Sequence, residues 1–256
     1  MSFFRSGNPT LSENRFKGST SLAAMQQGNT MTVAGSLQKF AFLFILLMGT
    51  AFYAWKEVMN YGSSINLMIW GGAIGGFVVA IVIMFKKEWA PFLAPVYALL
   101  EGLFVGAISA MYNNVFEEIA PNLVMNAVGL TFGVGIAMYL LFSFRIIQAT
   151  QKFKAVVFTA TAGIAIFYFI VWILSMFGIS GPAFLHEGSL LGIGFSLFVV
   201  AIAALNLILD FDMIEQGSQM GAPKYMEWYG AFGLMVTFIW LYLEILRLLS
   251  KFASRD

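Results

Sequence analysis

The segment that decides the fold is an apolar run at residues 190–215, which reads LLGIGFSLFVVAIAALNLILDFDMIE. Residues 190–209 are predominantly apolar and reach the ~20 residues that an α-helix needs to cross a bilayer. Three carboxylates follow directly, on Asp210, Asp212 and Glu215. A charged side chain at bilayer depth costs at least ~2.5 kcal/mol, and such residues usually face an ion path or a partner. The run therefore predicts a membrane-spanning helix that ends in functional acids.

The rest of the chain has the same apolar character. It is 60% hydrophobic and 11% charged, with a mean hydropathy of +0.83, far more apolar than a soluble domain. We predict seven spans, at about 37–58, 65–85, 93–111, 123–142, 155–177, 190–209 and 229–249. Segments of this length exclude a β-barrel, whose strands have ~10 residues of alternating polarity. The prediction is an all-α, seven-helix transmembrane bundle over residues 37–256, after a flexible polar tail over residues 1–36.

Pairs of glycines four residues apart occur in several of these spans. Such pairs let membrane helices approach closely, and we interpret them as packing positions. The pairs are Gly71 and Gly75, Gly72 and Gly76, Gly102 and Gly106, and Gly129 and Gly133.

Composition also weighs against several classes of function. The net charge is +1 and no basic stripe carries interleaved aromatics, so no nucleic-acid partner is expected. The absence of cysteine removes thiolate chemistry and disulfides. Ser180 and His186 lie in one short loop, and a catalytic dyad needs geometry rather than closeness in sequence. No lysine lies between Tyr229 and Ser250 to carry a retinal Schiff base. We therefore expect neither an enzyme nor a bound cofactor.

The distribution of lysine and arginine predicts the orientation. With seven crossings, ten of these residues lie on the amino-terminal side and four on the other, which favours a cytoplasmic amino terminus. Arg247, Lys251 and Arg255 at the carboxyl terminus oppose this orientation. If the last segment were re-entrant, thirteen lysine and arginine residues would lie on the amino-terminal side and one on the other. A re-entrant last segment stays an alternative to the favoured crossing.

The acids of the sixth span lie on two faces of the predicted helix. Asn206 and Asp210 are four residues apart and share one face, whereas Asp212 and Glu215 share another. The functional interpretation is that Asp210, with Asp212 as second candidate, forms a protonatable or cation-binding position at the cytoplasmic mouth. The alternative is that the helix has already ended and all three acids are solvated.

Two further acids lie inside predicted spans. Glu101 is flanked by leucines and lies too deep for a loop to solvate, so it is either protonated or paired, with a structural hydrogen bond as the alternative. Glu244 stands three residues before Arg247, a spacing that permits an intrahelical ion pair. It also shares a face with Thr237, so the last span offers a polar stripe.

Short motifs along the chain resemble one known family. They read LDFDMI at 209–214, YGAF at 229–232 and LYLEILRLL at 241–249, with RSGNPTL at 5–11 and LEGLFVG at 100–106. Together they resemble the bacterial branch of the Bax inhibitor-1 family, over essentially residues 5–250. The resemblance implies a bacterial inner-membrane protein whose last helix is wrapped by the other six. It also implies a pH-sensitive calcium leak channel with a place in the stress response.

The resemblance also implies roles for particular residues. In that family an aspartate on the sixth helix and one on the seventh share a proton, contact a basic residue of the second helix and control the pore. Asp210 matches the first aspartate because Ile214 follows four residues later, whereas Thr237, which cannot ionise, takes the place of the second. Candidates for the missing carboxylate are Asp212, Glu101 and Glu244. Candidates for the basic gate partner are Lys86 and Lys87, and Asp210 and Asp212 are candidate ligands for Ca²⁺.

Two other functions stay open from the sequence. The first is a non-channel regulator that binds a membrane protease, with the polar tail as its docking handle. The second is a proton-coupled transporter, because protonatable acids inside the membrane suit it equally well.

Overall fold

The computed structural model describes residues 30–61, 65–179, 181–185 and 187–255. These residues form seven α-helices and no β-strand. The helices are α1 (Val33–Tyr61), α2 (Ile65–Phe85), α3 (Ala90–Phe116), α4 (Leu123–Ser143), α5 (Gln151–Met176), α6 (Leu190–Gln219) and α7 (Met226–Ala253). Single turns of 3-10 helix at Lys87–Trp89 and Ala183–Leu185 precede α3 and α6.

Each of the seven helices is long and apolar enough to cross a membrane, as the hydropathy pattern predicts. The predicted and observed bounds agree within a few residues for most spans. Residues 33–36, which the prediction assigned to the polar tail, lie in α1, while residues 1–29 of that tail lie outside the described residues. The most buried helix is α7, with 61% of its most apolar stretch buried, in keeping with the central position that the resemblance implies.

The largest difference from the predicted bounds is the end of α6, which continues to Gln219 instead of stopping at residue 209. The helix then ends in a glycine turn. Gly221 adopts a positive φ of 66°, and the N–H groups of Gly221 and Ala222 donate to the carbonyl oxygens of Ser218 and Gly217. These two bonds satisfy carbonyls that a helix end leaves open, so the stop signal lies at Gly221 rather than at the first acid.

The described residues divide into two compact units. The first unit comprises residues 30–114 and 210–239, and the second comprises residues 115–209 and 240–255. Both α6 and α7 therefore contribute to each unit, with α6 divided after residue 209 and α7 after residue 239.

The first unit is built on close packing of α1, α2 and α3. A Cβ atom added at Gly102 or Gly106 would overlap α1, at Thr50 and at the backbone of Ala51 respectively. Gly72 meets the backbone of α3 in the same way. Small residues thus let these helices approach closely, as their spacing predicts. The cluster of buried residues beside them is Ala54, Val58, Met68, Ala107 and Ala110.

The second unit has an aromatic-rich core. Ile164 of α5 packs with Val199 and Ile202 of α6, and Tyr168, Phe195 and Trp240 surround this cluster. The glycine pair of α4 differs from the pairs of Gly72 with Gly76 and of Gly102 with Gly106, and resembles Gly71, which also meets no described atom within 4 Å. No atom of the described chain lies within 4 Å of a Cβ built at Gly129 or Gly133, so the interpretation of this pair as a packing position within the chain is wrong.

Candidate functional site

The three acids of the sixth span all lie inside α6, so the interpretation in which the helix has ended before them is wrong. Their surroundings differ. Asp210 is buried, at 2% exposure, whereas Asp212 and Glu215 are half-buried. Asp212 Oδ2 accepts a hydrogen bond of 2.6 Å from Gln216, and Glu215 Oε1 accepts one of 3.3 Å from Gln219. These i, i+4 bonds stabilise the polar end of the helix and leave Asp210 as its buried acid.

Thr237 is also buried, but its hydroxyl bonds to its own helix. The Oγ1 atom donates to the carbonyl oxygen of Gly233 at 3.4 Å, a common arrangement for threonine inside a membrane helix. Thr237 therefore bonds within α7 and supplies no ionisable group, and its part in an ion or proton pathway stays a prediction.

Glu101 lies where α2 and α3 touch in the first unit. A Cβ atom at Gly76 of α2 would overlap the Glu101 carboxylate, so the acid occupies the space that this glycine leaves. The side chain is partly buried, and within the described ranges it has no hydrogen bond or ion pair. One turn earlier, Tyr97 is buried edge-on against Phe232 of α7, at 4.9 Å between ring centroids. Glu101 thus lies half-buried between α2 and α3, and its part in an ion or proton pathway stays a prediction.

The two candidate basic partners differ in position. Lys86 is exposed, whereas Lys87 is half-buried and places its Nζ atom 5.7 Å from the centroid of the Tyr229 ring. A cation over an aromatic face is attracted by the ring quadrupole. Of the two lysines, Lys87 therefore contacts the last helix within the first unit.

Glu244 belongs to a buried polar cluster of the second unit. Its Oε1 atom accepts from Arg247 at 2.7 Å, as the i, i+3 spacing predicts, and lies 3.5 Å from the hydroxyl of Tyr168. Arg247 also donates to the Tyr168 hydroxyl at 2.8 Å. Glu244 itself is 3% exposed, and its Oε2 atom has no hydrogen-bond partner within the described ranges. The cluster therefore keeps one carboxylate oxygen available inside the protein.

Asn206 lies in the second unit as well, one turn before Asp210. Its amide donates to the hydroxyl of Thr161 on α5 and to the carbonyl oxygen of Ile202, both at 2.8 Å. An interhelical hydrogen bond of this kind holds membrane helices together. Asn206 thus joins α5 to α6, and its part in an ion or proton pathway stays a prediction.

The sequence analysis did not identify two buried charged residues, Glu227 and Lys251, as site residues. Glu227 is fully buried and contacts Lys39, Lys224 and Thr32. Lys251 is 2% exposed and donates to the carbonyl oxygens of Phe184 and Gly192 and to the hydroxyl of Ser196. The i, i+3 spacing of Lys224 and Glu227 was the one local signal, because their other partners lie far away in sequence.

Within the described ranges, no group of three or more histidine, aspartate or glutamate residues could hold a metal ion. A calcium site at Asp210 and Asp212 therefore stays a prediction. Ser180 and His186, the two residues considered for a catalytic dyad, lie outside the described residues.

A family model described as Bax inhibitor 1 like matches residues 8–254, nearly the whole chain. No curated protein sequence matches it significantly.

Proposed function

The chain belongs to the Bax inhibitor 1 like family of membrane proteins, and from this premise we propose that it is a pH-sensitive calcium leak in which Asp210 is the protonatable group. The protein is an integral membrane protein with seven apolar helices. We propose further that the protein lies in a bacterial inner membrane with its amino terminus in the cytoplasm. In this proposal it conducts calcium, and protons control the conduction.

The burial of Asp210 is the observation that carries the proposal. An acid inside a membrane-spanning helix and 2% exposed is costly as an anion, and such residues commonly lie on ion or proton paths. Gain of a proton removes that charge without changing the shape of the side chain. A single proton can therefore shift the balance between two packings of the helices around it.

Glu101 is the candidate for the second acid, because it belongs to the same compact unit as Asp210 and its carboxylate lies against Gly76. Thr237 cannot ionise, and Asp212 is half-buried and bonded to Gln216. Glu244 belongs to the other unit and pairs with Arg247. Lys87 rather than Lys86 is the candidate basic partner, because it contacts Tyr229.

Calcium flux into proteoliposomes tests the proposal, with the purified protein measured across a range of external pH. We expect Asp210→Asn to abolish the pH dependence, because the neutral amide cannot gain or lose a proton. Asp212→Asn is the matched control: it makes the same chemical change two residues away, at a half-buried position, and should retain the pH dependence.

Two results would contradict the proposal. The first is an Asp210→Asn variant whose leak follows pH as in the parent. The second is a folded, reconstituted parent protein that passes no calcium at any pH, which would favour a regulator that binds another membrane protein. Counterflow of a second substrate would instead indicate a proton-coupled transporter.

A further inference from the structure

The residues that precede α1 are attached to the turn between α6 and α7. Thr30 forms a β-bridge with Pro223, and the N–H of Met31 donates to the carbonyl oxygen of Ala222 at 2.7 Å. The Met31 side chain is buried, at 2% exposure. Residues 30–32 are therefore part of the packed first unit rather than a loose lead into the first helix.

One carboxylate joins this segment to the last helix. Glu227, in the first turn of α7, accepts two hydrogen bonds of 2.9 Å at Oε1, from the N–H and from the hydroxyl of Thr32. Lys224 also reaches Oε1, at 2.8 Å, and Lys39 of α1 reaches Oε2 at 2.7 Å. The side chain of Glu227 has no exposed surface, so both of its oxygens are held by charged or polar groups inside the protein.

The arrangement reproduces a capping box with its acid supplied by another helix. Thr32 is the N-cap residue of α1, because its hydroxyl accepts from the N–H of Gly35 at 3.0 Å. In a capping box, a glutamate at the position of Gly35 would accept from the N–H of Thr32. Here Glu227 accepts from that N–H instead. A Cβ atom on Gly35 would overlap the Glu227 carboxylate, so the glycine provides the space that the incoming acid occupies.

From this geometry we propose that residues 30–32, Gly35, Lys39 and Glu227 form a latch, in which the N–H of Thr32 has its carboxylate acceptor only while the start of α7 is docked against α1. Opening the latch would remove that acceptor, separate Glu227 from Lys39 and uncover Met31 in one event. The latch does not depend on the proposed leak.

Thiol labelling tests the latch, because the chain contains no cysteine. Met31→Cys places a single thiol at a buried position, and its rate of reaction with a maleimide reports how often the latch opens. Glu227→Gln, added to Met31→Cys, keeps the shape and removes the charge that Lys39 and Lys224 contact. We expect labelling to accelerate at least about tenfold, since hydrogen bonds to a buried charge are among the strong ones. The control Glu88→Gln changes an exposed acid and should leave the rate unchanged.

A second variant covers the case in which Glu227→Gln fails to fold. Gly35→Ala keeps every charge and places one methyl group in the space of the carboxylate, so it should also accelerate labelling of Met31→Cys. Far-ultraviolet circular dichroism and gel filtration identify the folded variants. The latch is refuted if the folded variants of Glu227 and Gly35 react at the rate of the Met31→Cys parent.

Discussion

The buried ammonium of Lys251 offers a direct test of how the end of the last helix is held. Lys251 is 2% exposed, and its Nζ atom donates to Phe184 O at 3.2 Å, Gly192 O at 3.1 Å and Ser196 Oγ at 2.8 Å. These three acceptors use all three N–H donors of the ammonium. The Lys251→Met substitution keeps most of the side-chain volume and removes all three bonds at once.

The expected change in the free energy of unfolding follows from two opposing effects, the loss of hydrogen bonds and the removal of a buried charge. A hydrogen bond to a charged group is worth roughly 1.5–3 kcal/mol in soluble proteins, but interhelical bonds in a membrane protein average only ~0.6 kcal/mol. Burying an ammonium also costs several kcal/mol, which the substitution recovers. Three bonds at the membrane-protein average total about 2 kcal/mol, and the larger total at the soluble-protein value is offset by the recovered burial cost, so we expect Lys251→Met to lower the free energy of unfolding by about 2 kcal/mol. For a chain of this size, that loss corresponds to a fall of roughly 4–8 °C in Tm.

Thermal unfolding of the purified protein in detergent, followed by tryptophan fluorescence, measures this fall. Lys56→Met is the matched control, because Lys56 is exposed and its loss should change the stability by less than ~0.5 kcal/mol. Ser196→Ala removes one acceptor and should give a smaller fall than Lys251→Met. A Lys251→Met protein that unfolds within ~1 °C of the parent would refute the reasoning, since its three bonds would then contribute no more than an exposed lysine.

Two further predictions concern packing and topology. Gly106→Ala should destabilise the protein by roughly 1–3 kcal/mol, because its Cβ would overlap the backbone of Ala51. Gly129→Ala should be neutral or slightly stabilising, because its Cβ would meet no atom of the described chain. Thermal unfolding of both variants checks this, and equal Tm values would contradict it. For topology, single thiols at Lys86→Cys and Ser254→Cys, both exposed, should react with an impermeant reagent from opposite sides of the membrane. Reaction from the same side would mean that the last segment dips in and returns.

The predicted spans agree with the helices because hydropathy is a local property. A stretch such as 65–85 has to satisfy its backbone hydrogen bonds within itself once it is in lipid, so its composition alone predicts a helix. The end of α6 shows the limit of that reasoning. Hydropathy falls at Asp210, yet the backbone stays helical to Gln219 and stops at the glycine turn. Hydropathy detects where apolar character ends, whereas the end of a helix depends on how its last carbonyls are satisfied.

The candidate acids show the same limit of reasoning from local sequence. The i, i+3 spacing correctly predicted the pair of Glu244 and Arg247, whereas the sequence placed Asp210 only at the mouth of a span and the structure shows that it is buried. The contact of Tyr168 with that pair had no signal, because it joins residues 76 positions apart. For the same reason the glycine pair at 129 and 133 could not be distinguished from the pair at 102 and 106, since both have the same spacing and only one meets a neighbouring helix.

By itself, the sequence determined that this is a seven-helix membrane protein of the Bax inhibitor 1 like family. Only the tertiary structure decided which polar groups meet. It brings Thr32 to Glu227 across 195 residues and encloses Lys251 among oxygens of α6 and the chain before it. The physical reason is that lipid selects apolar helices residue by residue, whereas a buried charge is stable only where distant segments supply its partners.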